Sequence, residues 1–222
     1  MIGKRSYKGL PMEGPIATWY ARNTGRDGAM RRFHGVARAV SLRVPAGGRV
    51  LEVAPGPGYL AIEIARSGRN VTTLDVSKSF VRIAAENARN AGVTIDVRHG
   101  NASAMPFADG SFDFVVCMAA FKNFADPLGA LNEIHRVLVP GGHASIYDLR
   151  KDASLPDIEA EVRGMDLSKI NALVTRWTFR FALLKAAYTR ADLERMAAVS
   201  RFRGCQVVPD GIGFEVQLTK SG

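Results

Sequence analysis

Two glycines, Gly56 and Gly58, stand in the run Leu51-Glu52-Val53-Ala54-Pro55-Gly56-Pro57-Gly58-Tyr59-Leu60-Ala61. They fall between a short apolar run, read as a buried strand, and an apolar helical stretch, so they mark a strand-to-helix turn. Without a Cβ, backbone at these positions can approach a ligand closely. Free N–H groups at the start of the following helix, together with its dipole, favour an anionic group such as a phosphate or a carboxylate. Gly56-x-Gly58-x-x-Ala61 also fits the dinucleotide-binding fingerprint, and taken alone it equally fits a tight turn that merely needs glycine. Asp75 narrows the choice. It ends the next strand, 19 positions after Gly56, where a carboxylate accepts hydrogen bonds from both hydroxyls of a ribose. The competing role, a helix cap, is better served by Ser77. The two features together predict a crevice for a nucleoside-containing ligand at the carboxyl ends of the strands.

Asp148, in Ile146-Tyr147-Asp148-Leu149-Arg150, is the candidate for a base or an acceptor-positioning group; the alternative is a loop residue paired with Arg150. His34 and Lys122 read as solvent-facing side chains. The four histidines show neither helical pairing nor an HExxH pattern, and the two cysteines, Cys117 and Cys205, sit in separate strand-like stretches. No metal site is expected from these residues, and both thiols are expected reduced in the core.

The elements that position these groups follow from apolar spacing. Met30, Phe33, Val36, Ala37 and Val40 predict a helix over residues 26–42, ended by Pro45-Ala46-Gly47-Gly48, with a shorter one over 15–21. Buried-strand runs at 49–53, 71–75, 93–98 and 112–118 alternate with helices at 59–66, 77–90 and 127–139, which argues for a parallel sheet covered on both faces. A fifth strand is expected over 143–149. Residues 152–187 break this rhythm as a mostly helical insertion, bulky near its end at Trp177, Phe179, Phe181, Leu183 and Leu184. Thr189 and Asp192 stand at capping-box spacing before a helix reaching about 201. Strands at 205–208 and 212–219, joined by Pro209-Asp210-Gly211, must pair antiparallel across so short a connection.

The chain has 222 residues, 47% of them hydrophobic and 23% charged, a composition that fits one ordinary globular domain and excludes collagen, coiled coil and general disorder. The net charge of +9 arises almost wholly in residues 1–50, which hold ten basic and two acidic side chains. Such a segment speeds encounter with anionic partners, yet no aromatic interleaving or base-reading motif accompanies it, so nucleic acid is disfavoured as a partner. No apolar run reaches the length of a membrane span, and no apolar stretch follows the basic residues near position 1, so a cytoplasmic protein is expected.

Leu51-Glu52-Val53-Ala54-Pro55-Gly56-Pro57-Gly58 resembles the first motif of the class I S-adenosylmethionine-dependent methyltransferases. Four further segments resemble that family in the right order. They are Thr73-Leu74-Asp75-Val76-Ser77, Gly100-Asn101-Ala102-x-x-Met105-Pro106-Phe107, Ser111-Phe112-Asp113-Phe114-Val115-Val116, and Glu133-Ile134-His135-Arg136-Val137-Leu138-Val139-Pro140-Gly141-Gly142. In style they are most similar to the small-molecule enzymes related to ubiquinone and menaquinone biosynthesis. The resemblance implies an α/β fold: a doubly wound, Rossmann-like sheet of seven mostly parallel strands with the last one antiparallel, helices on both faces, and a helical lid. It divides a single domain (1–222) into an N-terminal helical cap (1–45), a cofactor-binding core (49–150), a substrate lid (151–188) and a C-terminal helix and hairpin (189–222).

Carried over residue by residue, the resemblance implies that Glu52, Ala54, Gly56 and Gly58 line the methionine half of S-adenosyl-L-methionine. Asp75 holds the ribose, Val76 lies against the adenine, and Asn101 and Ala102 sit at its edge. Ala119 lies near the sulfonium and Tyr20 closes over the cofactor. Ala54 stands where many relatives have glycine, and Asn101 where they have aspartate. Phe121, Asn123 and Phe124 are expected on the acceptor side, where relatives often carry a His-His pair, and Asp148 is the candidate catalytic group. The implied reaction is in-line methyl transfer to a small-molecule acceptor, hydrophobic or aromatic, yielding S-adenosyl-L-homocysteine without a metal and catalysed mainly by positioning. An RNA methyltransferase, a nicotinamide-dependent reductase and a non-catalytic cofactor-binding module are the rival readings. The sequence is silent on oligomeric state and on the acceptor atom.

Overall fold

The computed structural model describes residues 7–8, 12–25, 27–164 and 184–222. The elements run α1 (Gly14–Thr24), α2 (Asp27–Arg43), β1 (Arg49–Val53), α3 (Tyr59–Arg66), β2 (Asn70–Asp75), α4 (Lys78–Asn90), β3 (Asp96–His99), β4 (Phe112–Met118), α5 (Pro127–Val137), β5 (Leu138–Leu149), α6 (Leu155–Gly164), α7 (Arg190–Val199), β6 (Gln206–Asp210) and β7 (Gly213–Thr219). The strands form one seven-stranded sheet in the order β3-β2-β1-β4-β5-β7-β6. β1 to β5 pair in parallel, and β7 runs antiparallel to both β5 and β6. The expected fold class is borne out.

Alternation along β1 divides the core. Val50 joins Val71, Phe114 and Val116 under α2 and α3, whereas Leu51 and Val53 join Val115, Cys117 and Ile146 under α5 and α7. Both faces are therefore apolar and covered, as a parallel sheet requires. The chain leaves β1 toward β2 on one side and returns through β4 on the other, so the switch point of the winding lies above the adjacent ends of β1 and β4. Ligands of such sheets bind in that crevice.

Boundaries follow the local signals. Ser77 caps α4 by accepting from the Phe80 N–H at 3.1 Å, and Thr189 and Asp192 form a full capping box on α7. β5 begins five residues earlier than expected, at Leu138, and α5 correspondingly stops at Val137, because Leu138 pairs with Phe112 before the register shifts across Pro140-Gly141-Gly142. Both cysteines are free; Cys117 is buried and Cys205 half-buried against the same core. Of the expected lid, α6 packs Ile158 and Val162 against Leu184 and Ile212. Trp177, Phe179, Phe181 and Leu183 lie outside the described residues. Among the described residues, no helix is long and apolar enough to cross a membrane.

Candidate functional site

The turn after β1 is built from left-handed backbone. Ala54, Gly56 and Gly58 have φ of 56°, 55° and 81°, a region that L side chains enter at a cost of roughly 1–2 kcal/mol. Ala119, at the end of β4, shares it with φ 58°, so the two alanines that flank the switch point are both held in an unfavourable conformation. Such outliers persist where surrounding structure holds them. Here the Ala54 N–H donates to Leu74 O at 2.8 Å and the Ala119 N–H to Tyr147 O at 2.7 Å. Gly58 is also a packing point, because a Cβ there would stand 3.0 Å from the Ala84 Cβ of α4. Gly58→Ala is expected to destabilise the fold by about 1–3 kcal/mol, measured by denaturant unfolding; a midpoint equal to that of the unaltered chain overturns this account of the turn.

Asp75 ties the turn to β2. Its Oδ2 accepts from the Gly56 N–H at 3.1 Å and its Oδ1 from the Ser77 N–H at 2.8 Å. The turn role and the ligand role are compatible, since each carboxylate oxygen keeps a lone pair for a hydroxyl. Burial pushes the Asp75 carboxyl up to about 6 against the pull of those two N–H groups. Glu52, 2% exposed, is pushed by burial up to about 8, with an opposing hydrogen bond from Ala61 and a further push from the Asp75 charge.

Among the described residues, three buried side-chain polar atoms lack a hydrogen-bond partner: Glu52 Oε2, Thr73 Oγ1 and Arg150 Nε. The first two belong to register partners on β1 and β2. Buried polar atoms without partners are rare, and finding two on paired residues close to the glycine turn marks a place suited to a polar ligand. Tyr20 stands across that turn, with its Cε1 3.9 Å from where a Gly56 Cβ would lie, and its ring meets Phe80 edge-on at 5.8 Å. Val76 is 36% exposed just past β2. Asn101 Oδ1 accepts from the Ser103 N–H at 3.0 Å, so toward a ligand that side chain offers its amide N–H groups. The loop that carries Asn101 and Ala102 is moored from α5, where Glu133 accepts from the Met105 N–H at 2.7 Å and Arg136 donates to Met105 O and Phe107 O.

The end of β5 differs from expectation. Lys122, read as solvent-facing, is 6% exposed; its Nζ donates to Asp148 Oδ1 at 3.0 Å and to Ala119 O at 2.8 Å. Asp148 also accepts from the Lys122 N–H at 2.8 Å and the Leu149 N–H at 2.8 Å. Arg150, its partner in the alternative reading, pairs instead with Asp157. Of the three acceptor-side candidates, Phe121 and Phe124 are 1% and 5% exposed and pack edge-on at 5.4 Å, while Asn123 is half-buried. Phe121 opens the short 3₁₀ turn Phe121–Asn123 and Phe124 follows its end, and both rings are turned into the core. His34 lies on α2 beside Glu63, with Nε2 to Oε2 at 3.1 Å.

Tyr7 went unnoticed in the sequence. It forms an antiparallel bridge with Phe124, and burial first, then Tyr20, Asp75 and Asp148, raise its hydroxyl above the usual tyrosine value. No motif marks it, so only the chain's return across the crevice reveals it. A groove of about 610 Å³ lined by Lys151, Tyr188, Arg195, Met196 and Val199 contains none of the residues of the turn. Among the described residues, no cluster of His, Cys, Asp and Glu suited to a metal ion occurs.

Residues 51–146 match the family of methyltransferase domains. The chain is 37% identical over 114 residues to a demethylmenaquinone methyltransferase of Thermus thermophilus, covering 50% of this chain and 52% of that protein. It is 34% identical over 109 residues to a ubiquinone biosynthesis O-methyltransferase of Ralstonia nicotianae, covering 49% and 46%. The chain thus spans about half the length of these curated relatives. A crystal structure of a SAM-dependent methyltransferase from Aquifex aeolicus superposes with a TM-score of 0.68 over 90% of this chain and 97% of that one, at 18% identity, a likeness of fold. The resemblance carried by the five motifs agrees with these matches: residues 51–146 are similar to the methyltransferase-domain family, and the fold is like that of a solved SAM-dependent methyltransferase.

Proposed function

We propose that the crevice binds S-adenosyl-L-methionine and that the chain transfers its methyl group to a small, ring-bearing acceptor of the quinone-precursor type. The carrying observation is the pair of unpartnered atoms, Glu52 Oε2 and Thr73 Oγ1, beside the glycine turn. Tyr20, Glu52, Ala54, Gly56, Gly58, Asp75, Val76, Asn101, Ala102 and Ala119 would hold the cofactor, and residues 151–188 would cover the acceptor. When bound, the cofactor supplies a methyl group on a cationic sulfur. The protein's own contribution is alignment and exclusion of water, which suffices for a displacement between prepositioned groups. Asp148 acts in this reading as a positioning group: three hydrogen bonds, from the Lys122 ammonium and the N–H groups of Lys122 and Leu149, already occupy its carboxylate. The acceptor class rests on the names of the relatives, one a demethylmenaquinone and one a ubiquinone biosynthesis enzyme.

The RNA reading loses force because three arginines of the basic segment are paired with acidic residues of the fold. Arg32 pairs with Glu161 and Asp210, Arg43 with Glu215, and Arg49 with Asp113.

Calorimetry tests the proposal with a sign that follows from the carboxyls. Folded values above the ordinary 4.5 and 3.8 mean that the folded chain holds more protons than the unfolded one. The contribution of these groups to stability therefore falls as pH rises through those windows, to about 8 for Glu52 and about 6 for Asp75. A cationic ligand favours the ionised carboxylates, so S-adenosylmethionine binding at neutral pH is expected to release protons, with affinity rising up to about pH 8. S-adenosylhomocysteine is expected to bind and NADH not. Binding of NADH alone overturns the function, and heats that are independent of buffer overturn the role of Glu52.

A further inference from the structure

The segment at Tyr7–Lys8 is stitched to two distant parts of the fold. Tyr7 bridges Phe124, and the Lys8 N–H donates to Asn123 O at 2.7 Å, so the backbone adds a short antiparallel rung to the turn after β4. The Lys8 ammonium donates to the Tyr188 hydroxyl at 2.9 Å and lies 5.3 Å from the centre of that ring, which in turn meets Phe121 at 6.0 Å. This anchoring leaves the Tyr7 ring half-buried, within electrostatic reach of Tyr20, Asp75 and Asp148. Through Phe124, in the turn that follows β4, Tyr7 is tied to the edge of the switch point, and the three residues that act on it belong to the cap helix and to the ends of β2 and β5. Among the described residues, neither the Tyr7 nor the Tyr20 hydroxyl has a hydrogen-bond partner. A half-buried hydroxyl held by main-chain pairing but bonded to nothing is poised to satisfy itself on a ligand.

We propose that Tyr7 is a ligand-binding residue of the crevice, its hydroxyl donating a hydrogen bond to the bound S-adenosyl ligand while Lys8 fastens the segment in place. This rests on the cofactor reading above. Because the phenol is held above the usual tyrosine range by burial and by the neighbouring carboxylates, it remains a neutral donor at physiological pH.

The probe is S-adenosylhomocysteine, titrated by calorimetry into the unaltered protein, Tyr7→Phe and Lys8→Ala. Phenylalanine keeps the ring and the backbone pairing and removes only the hydroxyl, so the melting temperature should stay near that of the unaltered chain while the dissociation constant rises about tenfold. Lys8→Ala, which loosens the anchor without touching the hydroxyl, should weaken binding by a smaller factor. Affinity of Tyr7→Phe within about twofold of the unaltered protein overturns the role of Tyr7 and leaves the cofactor reading standing. No binding by the unaltered protein overturns the cofactor reading and this inference together. If Tyr7→Phe melts earlier, titration well below its transition still decides between these results.

Discussion

Asp75→Ala is expected to weaken S-adenosylmethionine binding by at least tenfold, about 1.4 kcal/mol, with a much smaller change in stability. The carboxylate accepts from the N–H groups of Gly56 and Ser77, and buried N–H groups left without an acceptor cost about 1–3 kcal/mol each. Against this, the substitution removes a buried carboxyl whose value, raised to about 6, reports that the folded state disfavours its charge. The two effects oppose each other in the free protein, so thermal unfolding registers little. In the proposed complex nothing would offset the loss of an acceptor for the ribose hydroxyls, and the turn would no longer be held toward β2. Calorimetry beside a melting curve separates the two consequences. An affinity like that of the unaltered chain removes Asp75 from the site, whereas a collapse of the melting temperature makes it a structural residue of the turn.

Lys122→Met has the larger effect on stability. It strands the Asp148 carboxylate, 8% exposed, without the cation that bonds it at 3.0 Å. Breaking a buried pair from one side costs about 3–5 kcal/mol, which for a chain of this size lowers the melting temperature by on the order of 10 °C. Ala119 loses a contact too, because Lys122 Nζ donates to its carbonyl and helps hold its left-handed backbone. The double variant Lys122→Met/Asp148→Asn is expected to recover much of the loss, since the amide oxygen still accepts from a backbone N–H while no charge is left buried. A melting temperature for Lys122→Met within about 2 °C of the unaltered protein shows that the pair contributes nothing net. The result also bears on the reaction, because a carboxylate whose neutralisation is tolerated in the double variant is a support rather than a base.

How much of the site was legible varies residue by residue. The glycine turn, Asp75 and the Ser77 cap were readable because each is a local signal: glycine where φ must be positive, a carboxylate at a strand end, a hydroxyl at a helix start. The loop at Asn101 and Ala102 was readable only through the family motif, and the structure supplies its physical reason in the moorings from Glu133 and Arg136. The burial of Phe121 and Phe124 was not legible, because an aromatic residue in a loop looks the same in sequence whether it faces a ligand or the core. Tyr7 left no trace, since nothing near it in the chain reports that it meets Phe124.

By itself the sequence determined the sheet, its covering helices, the reversed final strand and the place of the crevice. Those depend on apolar period, on turn residues and on connection length, all properties of neighbours along the chain. Tertiary structure alone decided the order β3-β2-β1-β4-β5-β7-β6, the burial of Lys122 against Asp148 and the pairing of Tyr7 with Phe124. A pairing between residues far apart in sequence exists only once the core has brought them together, and the low dielectric of that core is what makes an ion pair at 3.0 Å or an unpartnered hydroxyl matter energetically.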